Sequence, residues 1–96
     1  MPTYERSAEF LRDLARLTPA QRKQFEAAVR AMIEDLKANQ PFRASLHIER
    51  FHRRPDAFEM RWAGDGRALF EFGQSPIQGE AHIIWLAVGT HNIYKR

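Results

Sequence analysis

Five residues read Phe58-Glu59-Met60-Arg61-Trp62. Strand side chains point alternately to opposite faces, so this stretch puts Glu59 and Arg61 on one face and the bulky apolar groups on the other. Ala63-Gly64-Asp65-Gly66 has the composition of a hairpin turn. The chain then returns as Arg67-Ala68-Leu69-Phe70-Glu71-Phe72. Arg67 falls across the turn from Arg61, where two guanidinium groups can grip one phosphate. Arginine suits that task because its planar fork fits phosphate oxygens and never loses its proton. The same alternation is also what a solvated sheet face shows.

His91 follows Gly89-Thr90 at the end of the apolar run His82 to Val88. Loops after strand ends often present reactive groups, and an imidazole exchanges protons near neutral pH. Tyr94 lies three residues further on, either beside His91 or as a plug over the end of the sheet. Arg50, Arg53 and Arg54, with His52, make a basic stretch broken by Phe51. It would attract a phosphate backbone, or simply form a solvated loop. Lys95 and Arg96 add two cations after Tyr94. These five basic residues are the candidates for contact with a nucleic-acid backbone.

No metal site is expected. The chain has no cysteine, its four histidines (His47, His52, His82, His91) have no helical pair spacing, and its carboxylates do not cluster. There is no glycine-rich phosphate loop, no G-x-S-x-G elbow and no cysteine nucleophile. No cofactor is implied.

The elements that must position these groups follow from periodicity. Ser7 caps a first helix carrying Phe10, Leu11, Leu14 and Leu17 on one face. Thr18-Pro19-Ala20-Gln21 joins it to a second, with Thr18 as N-cap, Pro19 at the first helical position and Gln21 closing a capping box. Phe25, Ala28, Val29, Met32, Ile33 and Leu36 line its apolar side, and Asn39 and Pro41 stop it. After Pro41 the period changes from 3.6 to 2. Strands are expected over Leu46 to Phe51, Phe58 to Trp62, Arg67 to Phe72 and His82 to Val88. The last is apolar on both faces and therefore central, and Gly89 ends it. Thr3-Tyr4-Glu5 adds a short edge strand. The fold class is α+β: an αα-hairpin packed on one face of a small twisted, mainly antiparallel sheet, with the other face open.

The 96 residues make one domain, 1–96, with a thin core. At 44% apolar and 28% charged residues the chain is a globular domain and not a disordered one. The longest apolar stretch, Ile83 to Val88, is far short of the ~20 residues that span a bilayer, and the first residues lack a signal pattern. A cytoplasmic protein is expected. The net charge of +3 has the sign for a polyanionic partner. All basic residues but Lys23, Lys37 and Lys95 are arginine, which suits phosphate recognition, although GC-rich coding produces the same bias.

The order of parts resembles the RelE/ParE superfamily of bacterial toxins. The carrying segments are Arg54-Pro55-Asp56-Ala57-Phe58-Glu59-Met60-Arg61, Gly66-Arg67-Ala68-Leu69-Phe70-Glu71 and Val88-Gly89-Thr90-His91-Asn92-Ile93-Tyr94. The resemblance runs from Phe10 to Tyr94. It implies a toxin held in check by a cognate antitoxin. The RelE branch cuts mRNA on the ribosome without a metal, and the ParE branch inhibits DNA gyrase without being a nuclease. An inactive toxin-like binding module is the third alternative. For the nuclease branch the resemblance implies Arg61, Arg67, His91 and Tyr94 as catalytic and places Glu49 near the carboxylate base of some members; the strand face itself offers Glu59 as an equal candidate, and an imidazole can also be the base. Glu59 stands where the RelE pattern is basic.

Such a cut sends the 2′-OH of one nucleotide onto the adjacent phosphorus and breaks the bond to the 5′-oxygen. It needs a base for the 2′ proton, a cation for the phosphorane charge and an acid for the leaving oxygen. The residues named above can fill each role.

Overall fold

A computed structural model describes residues 2–95. The chain runs β1 (Thr3–Arg6), α1 (Ala8–Arg16), α2 (Pro19–Lys37), a 3-10 turn (Ala44–Leu46), β2 (Glu49–Arg50), β3 (Ala57–Arg61), β4 (Gly66–Phe72), β5 (His82–Thr90) and a C-terminal 3-10 turn (His91–Lys95). No helix among the described residues is long and apolar enough to cross a membrane.

Both helices start on the expected caps. Ser7 Oγ accepts the Phe10 N–H at 3.0 Å, and Thr18 and Gln21 exchange the two bonds of a capping box. Glu9 in the first turn of α1 and Arg16 in its last complement the helix dipole. Past α2, Asn39 turns the chain through a left-handed φ of 54°. Arg43 then ties the loop back to the helix. Its backbone N–H donates to Asp35 Oδ2 at 2.9 Å, its Nε to the same oxygen at 3.1 Å and its Nη2 to Oδ1 at 2.9 Å.

These bonds to the charged form hold the Asp35 carboxyl below its ordinary range, the side-chain bond from Arg43 contributing most. A depressed folded-state pKa stabilises above the unfolded value near pH 4 and stops doing so as pH falls through the folded value. Asp35→Asn is therefore expected to lower the urea midpoint at pH 7. The gap to the parent should close in acid, below the folded-state pKa. An equal gap at both pH values would remove Asp35 as the source.

The sheet order is β1-β5-β4-β3-β2. β1 pairs parallel to β5 and the other neighbours are antiparallel, so the sheet is mixed. The helical hairpin carries the chain from β1 at one edge of the sheet to β2 at the other, and β3 and β4 step back antiparallel until β5 lies beside β1. One face carries the core under the helices. Phe10 stacks on Trp85 at 5.6 Å between centroids, and Phe25 meets Trp85 and Trp62 edge-on. Met32, Met60, Phe70, Ile83 and Val88 fill the rest, all fully buried. The α+β architecture is as expected from the sequence.

β1 stops at Arg6, opposite Trp85, while β5 continues to Thr90. Beyond that point one side of β5 has no strand partner. Helix α1 and its cap supply one: Ser7 N–H bonds Trp85 O at 3.1 Å, Ser7 Oγ bonds Leu86 O at 3.3 Å, and buried Asp13 accepts the Val88 N–H at 3.2 Å. Between Leu69 and Phe70 the pairing with β5 skips Leu86, a bulge that twists the pair locally. At the other end of β5, buried His82 joins two residues of β1. Its Nδ1 lies 2.7 Å from Thr3 Oγ1 and its Nε2 2.8 Å from Glu5 Oε2.

Two expectations are corrected. The span Leu46 to Phe51 is not one strand: His47 takes a left-handed φ of 47° after the 3-10 turn, leaving only Glu49–Arg50 extended. Gly89 does not end β5, because Gly66 and Arg67 still pair with Thr90 and Gly89. The residues after Thr90, to which no conformation was assigned from the sequence, wind into a 3-10 turn.

Candidate active site

The β3–β4 hairpin sets the site. Arg61 and Arg67 are direct cross-strand partners, as the turn composition predicted. Trp62 lies over Gly66, where a Cβ would sit 2.5 Å from the indole, so only glycine fits this close approach. Trp62 Nε1 donates to Arg67 O at 2.9 Å. The start of β4 is thereby fixed on the core, and the Arg67 side chain emerges on the opposite face. Its Nη1 donates to Gly64 O and Gly66 O at 3.2 and 3.0 Å, which folds the guanidinium along the turn.

Glu59 lies two residues before Arg61 on the same open face. Its Oε1 is 3.7 Å from Arg61 Nε. Its other oxygen accepts a hydrogen bond from the Tyr94 hydroxyl. Only 12% of its side chain is exposed, against 45% for Arg61. Glu49 is the cross-strand partner of Glu59 on β2 and is exposed. Of the two candidate bases, Glu59 is engaged at both oxygens and Glu49 faces water.

The C-terminal turn folds over this end of the sheet. His91 N–H bonds Asp65 O at 3.0 Å, and Asn92 N–H bonds Thr90 Oγ1 at 3.3 Å. Ile93 packs so tightly on Gly89 that a Cβ there would meet it at 2.7 Å. Tyr94 is carried back onto the open face, with the His91 ring edge-on at 5.3 Å. Burial and the bond to Glu59 push the Tyr94 phenol well above its ordinary pKa, with Arg67 and Arg61 pulling weakly the other way. Tyr94 is therefore a hydrogen-bond donor at working pH and unsuited to act as a base. Arg61, Arg67, Glu59, His91 and Tyr94 come together as one cluster, with Glu49 at its β2 edge.

The basic loop divides. Arg50 is directed away from this cluster: it pairs with Phe58, its guanidinium lies 5.5 Å from the Phe58 ring, and its Nη1 bonds Pro55 O. Strand parity sends residue 50 to the face opposite residue 49, which corrects its grouping with Arg53 and Arg54. Arg54 Nε is 3.2 Å from Glu71 Oε2, so its charge is already paired. Arg53 reaches Tyr94, with Nη1 3.3 Å from the Tyr94 carbonyl oxygen. Lys95 is exposed in the last turn, and Arg96 lies outside the described residues. Phe51, which carried no expected role, is buried and stacks on Tyr94 at 5.2 Å. Its aromatic type within a basic run was the available signal. Among the described residues no three His, Asp or Glu side chains gather closely enough to hold a metal ion.

No protein-family model and no curated protein sequence matches this chain. Solved structures do. The E. coli YafQ toxin in its DinJ complex superposes with a TM-score of 0.67 at 12% identity, covering 97% of both chains. The fold is that of the RelE/ParE toxins. A YoeB/ParE toxin from Agrobacterium tumefaciens gives 0.66 at 13% identity, covering 93% of this chain and 98% of that one. The RelBE2 toxin-antitoxin complex from Mycobacterium tuberculosis gives 0.56 at 22% identity, covering 92% and 95%. In this RelE/ParE fold the cluster lies on the sheet face opposite the two helices, at the ends of β3 and β5 and the start of β4.

Proposed function

We propose that the protein is the toxin of a toxin-antitoxin pair and acts as a metal-independent endoribonuclease on mRNA held in the ribosome. The observation that carries this reading is the convergence of Arg61, Arg67, His91 and Tyr94 on the open sheet face, around Glu59. A protein that only blocks a partner by surface contact needs no imidazole beside paired guanidinium groups.

In the proposed reaction Arg61 and Arg67 hold the scissile phosphate and take up the charge of the phosphorane. Their forks match its equatorial oxygens. A base removes the 2′-OH proton, the oxygen bonds to phosphorus, and the bond to the 5′-oxygen breaks. Exposed Glu49 is the carboxylate free to take that proton, and His91 delivers one to the leaving 5′-oxygen. Glu59, with both oxygens engaged, holds Arg61 and Tyr94 in place. Tyr94 offers an aromatic surface on which a base can stack. The partner that restrains the toxin is a cognate antitoxin, whose acidic segments would match the +3 chain.

Primer extension on mRNA after induction of the free protein tests this. Discrete 5′ ends on translated messages, lost on adding the antitoxin, are expected. Intact mRNA together with gyrase–DNA cleavage complexes would replace the nuclease with the gyrase reading.

A further inference from the structure

Tyr94 sits in a turn with no buried residue of its own, yet its ring is held from several sides. The hydroxyl is bound by Glu59, and the ring is flanked by Phe51 and His91. Arg53 adds the remaining tie. It crosses 41 residues of sequence to bond the Tyr94 carbonyl and lies 5.9 Å from the ring centroid. The last carbonyls of a helical turn have no intrahelical donor, and a cation there also complements the dipole. A guanidinium near the ring gains a cation–π contribution.

The loop that carries Arg53 is itself braced. Phe51 N–H bonds Ala57 O at 2.9 Å, Arg54 N–H bonds Phe51 O at 3.2 Å, and Ala57 N–H bonds Arg54 O at 2.9 Å. Phe51 is anchored in this loop by burial. The β2–β3 loop is therefore a built surface against which the C-terminal turn rests.

We infer that Arg53 and Phe51 are positioning residues that hold Tyr94 over the Glu59–Arg61 pair, so that Arg53 serves the site through Tyr94 and not as a phosphate contact. The catalytic side of this inference rests on the proposed nuclease function; the positioning side does not. Arg53 and Phe51 fix where the ring lies, and the ring in turn sets where a stacked base and its phosphate meet Arg61 and Arg67. A displacement of about 1 Å in such a group costs on the order of 10²-fold in rate.

The chain has two tyrosines, and Tyr4 is exposed. Tyr4→Phe leaves Tyr94 as the single tyrosine, readable by tyrosine-selective ¹³C labelling. Its ring signals in the parent should carry the ring-current shifts of Phe51 and His91. In Arg53→Ala and in Phe51→Leu they should move toward the values of an exposed tyrosine, and Arg53→Lys should restore part of the shift. On ribosome-bound mRNA, Arg53→Ala should cut kcat about tenfold with KM within about twofold. In a Tyr94→Ala background the same change should have almost no further effect, since residues acting through one group are not additive. Tyr94 signals unchanged by Arg53→Ala would overturn the inference. So would additive losses with a salt slope lower by ~0.7, the mark of a lost phosphate contact on single-stranded RNA. If the parent cleaves nothing, the nuclease reading falls while the tyrosine signals still decide the positioning.

Discussion

Arg67→Ala is expected to reduce mRNA cleavage by about 10²–10³-fold, the usual cost of removing one preorganised donor from a transition-state charge. Its folded state should barely change. The side chain is directed to the open face, and its two bonds are to carbonyls of the turn, Gly64 and Gly66. At a solvent-facing hairpin those carbonyls fall back to water, so the loss of stability should stay near about 0.5 kcal/mol. The turn keeps its shape because Trp62 and Gly66 set it from the other face. Arg67→Lys should recover only part of the rate: an ammonium keeps the charge but not the planar fork that spans two phosphate oxygens. Cleavage by Arg67→Ala at the parent rate, at equal protein level, would take Arg67 out of the site. The unfolding midpoint, measured alongside, separates a chemical loss from a folding one.

The parts of this site differ in how far they could be read from residues alone. Arg61 and Arg67 were legible because a glycine-bounded turn sets their register and strand parity sets their face. Both are local properties. The helix starts were legible for the same reason: Ser7 and Thr18 satisfy N–H groups only three residues away. The role of Glu59 was not, because its bond to Tyr94 joins positions 35 residues apart. Arg54 and Glu71 likewise meet only after β3 and β4 pair. Composition shows Arg50, Arg53 and Arg54 as one basic run, whereas neighbours within an extended segment must face opposite ways, which sets Arg50 apart beside Phe58. The parallel pairing of β1 had no local signature either. Thr3–Arg6 is short, and it is held by distant groups such as His82. The propensity of Gly89 marks a strand end, whereas the structure uses its missing side chain to seat Ile93.

The largest loss of stability is expected at Phe70. It lies on β4 in the middle of the sheet and is fully buried. Its ring stacks on Phe58 at 5.7 Å and contacts Trp85 and Phe72 at 5.5 and 5.6 Å. Phe70→Ala removes the ring from all three contacts and leaves a void beneath the helices. Neighbouring rings on paired strands cannot collapse into it without moving backbone. A large-to-small change of this kind costs about 3–5 kcal/mol. A domain of this size has a total stability at the low end of roughly 5–15 kcal/mol, so the variant should be marginal or unfolded at growth temperature. The effect on the site follows from topology. β4 carries Arg67, pairs with β3, which carries Glu59 and Arg61, and pairs with β5, which leads into His91 and Tyr94. Loss of β4 packing therefore releases every member of the cluster at once, whereas Arg67→Ala removes one. Urea unfolding followed by tryptophan fluorescence checks this directly, because Trp62 and Trp85 both lie in the core. A Phe70→Ala midpoint within about 0.5 M of the parent would show that the core repacks around the void, given slopes of about 1–3 kcal/mol per molar urea.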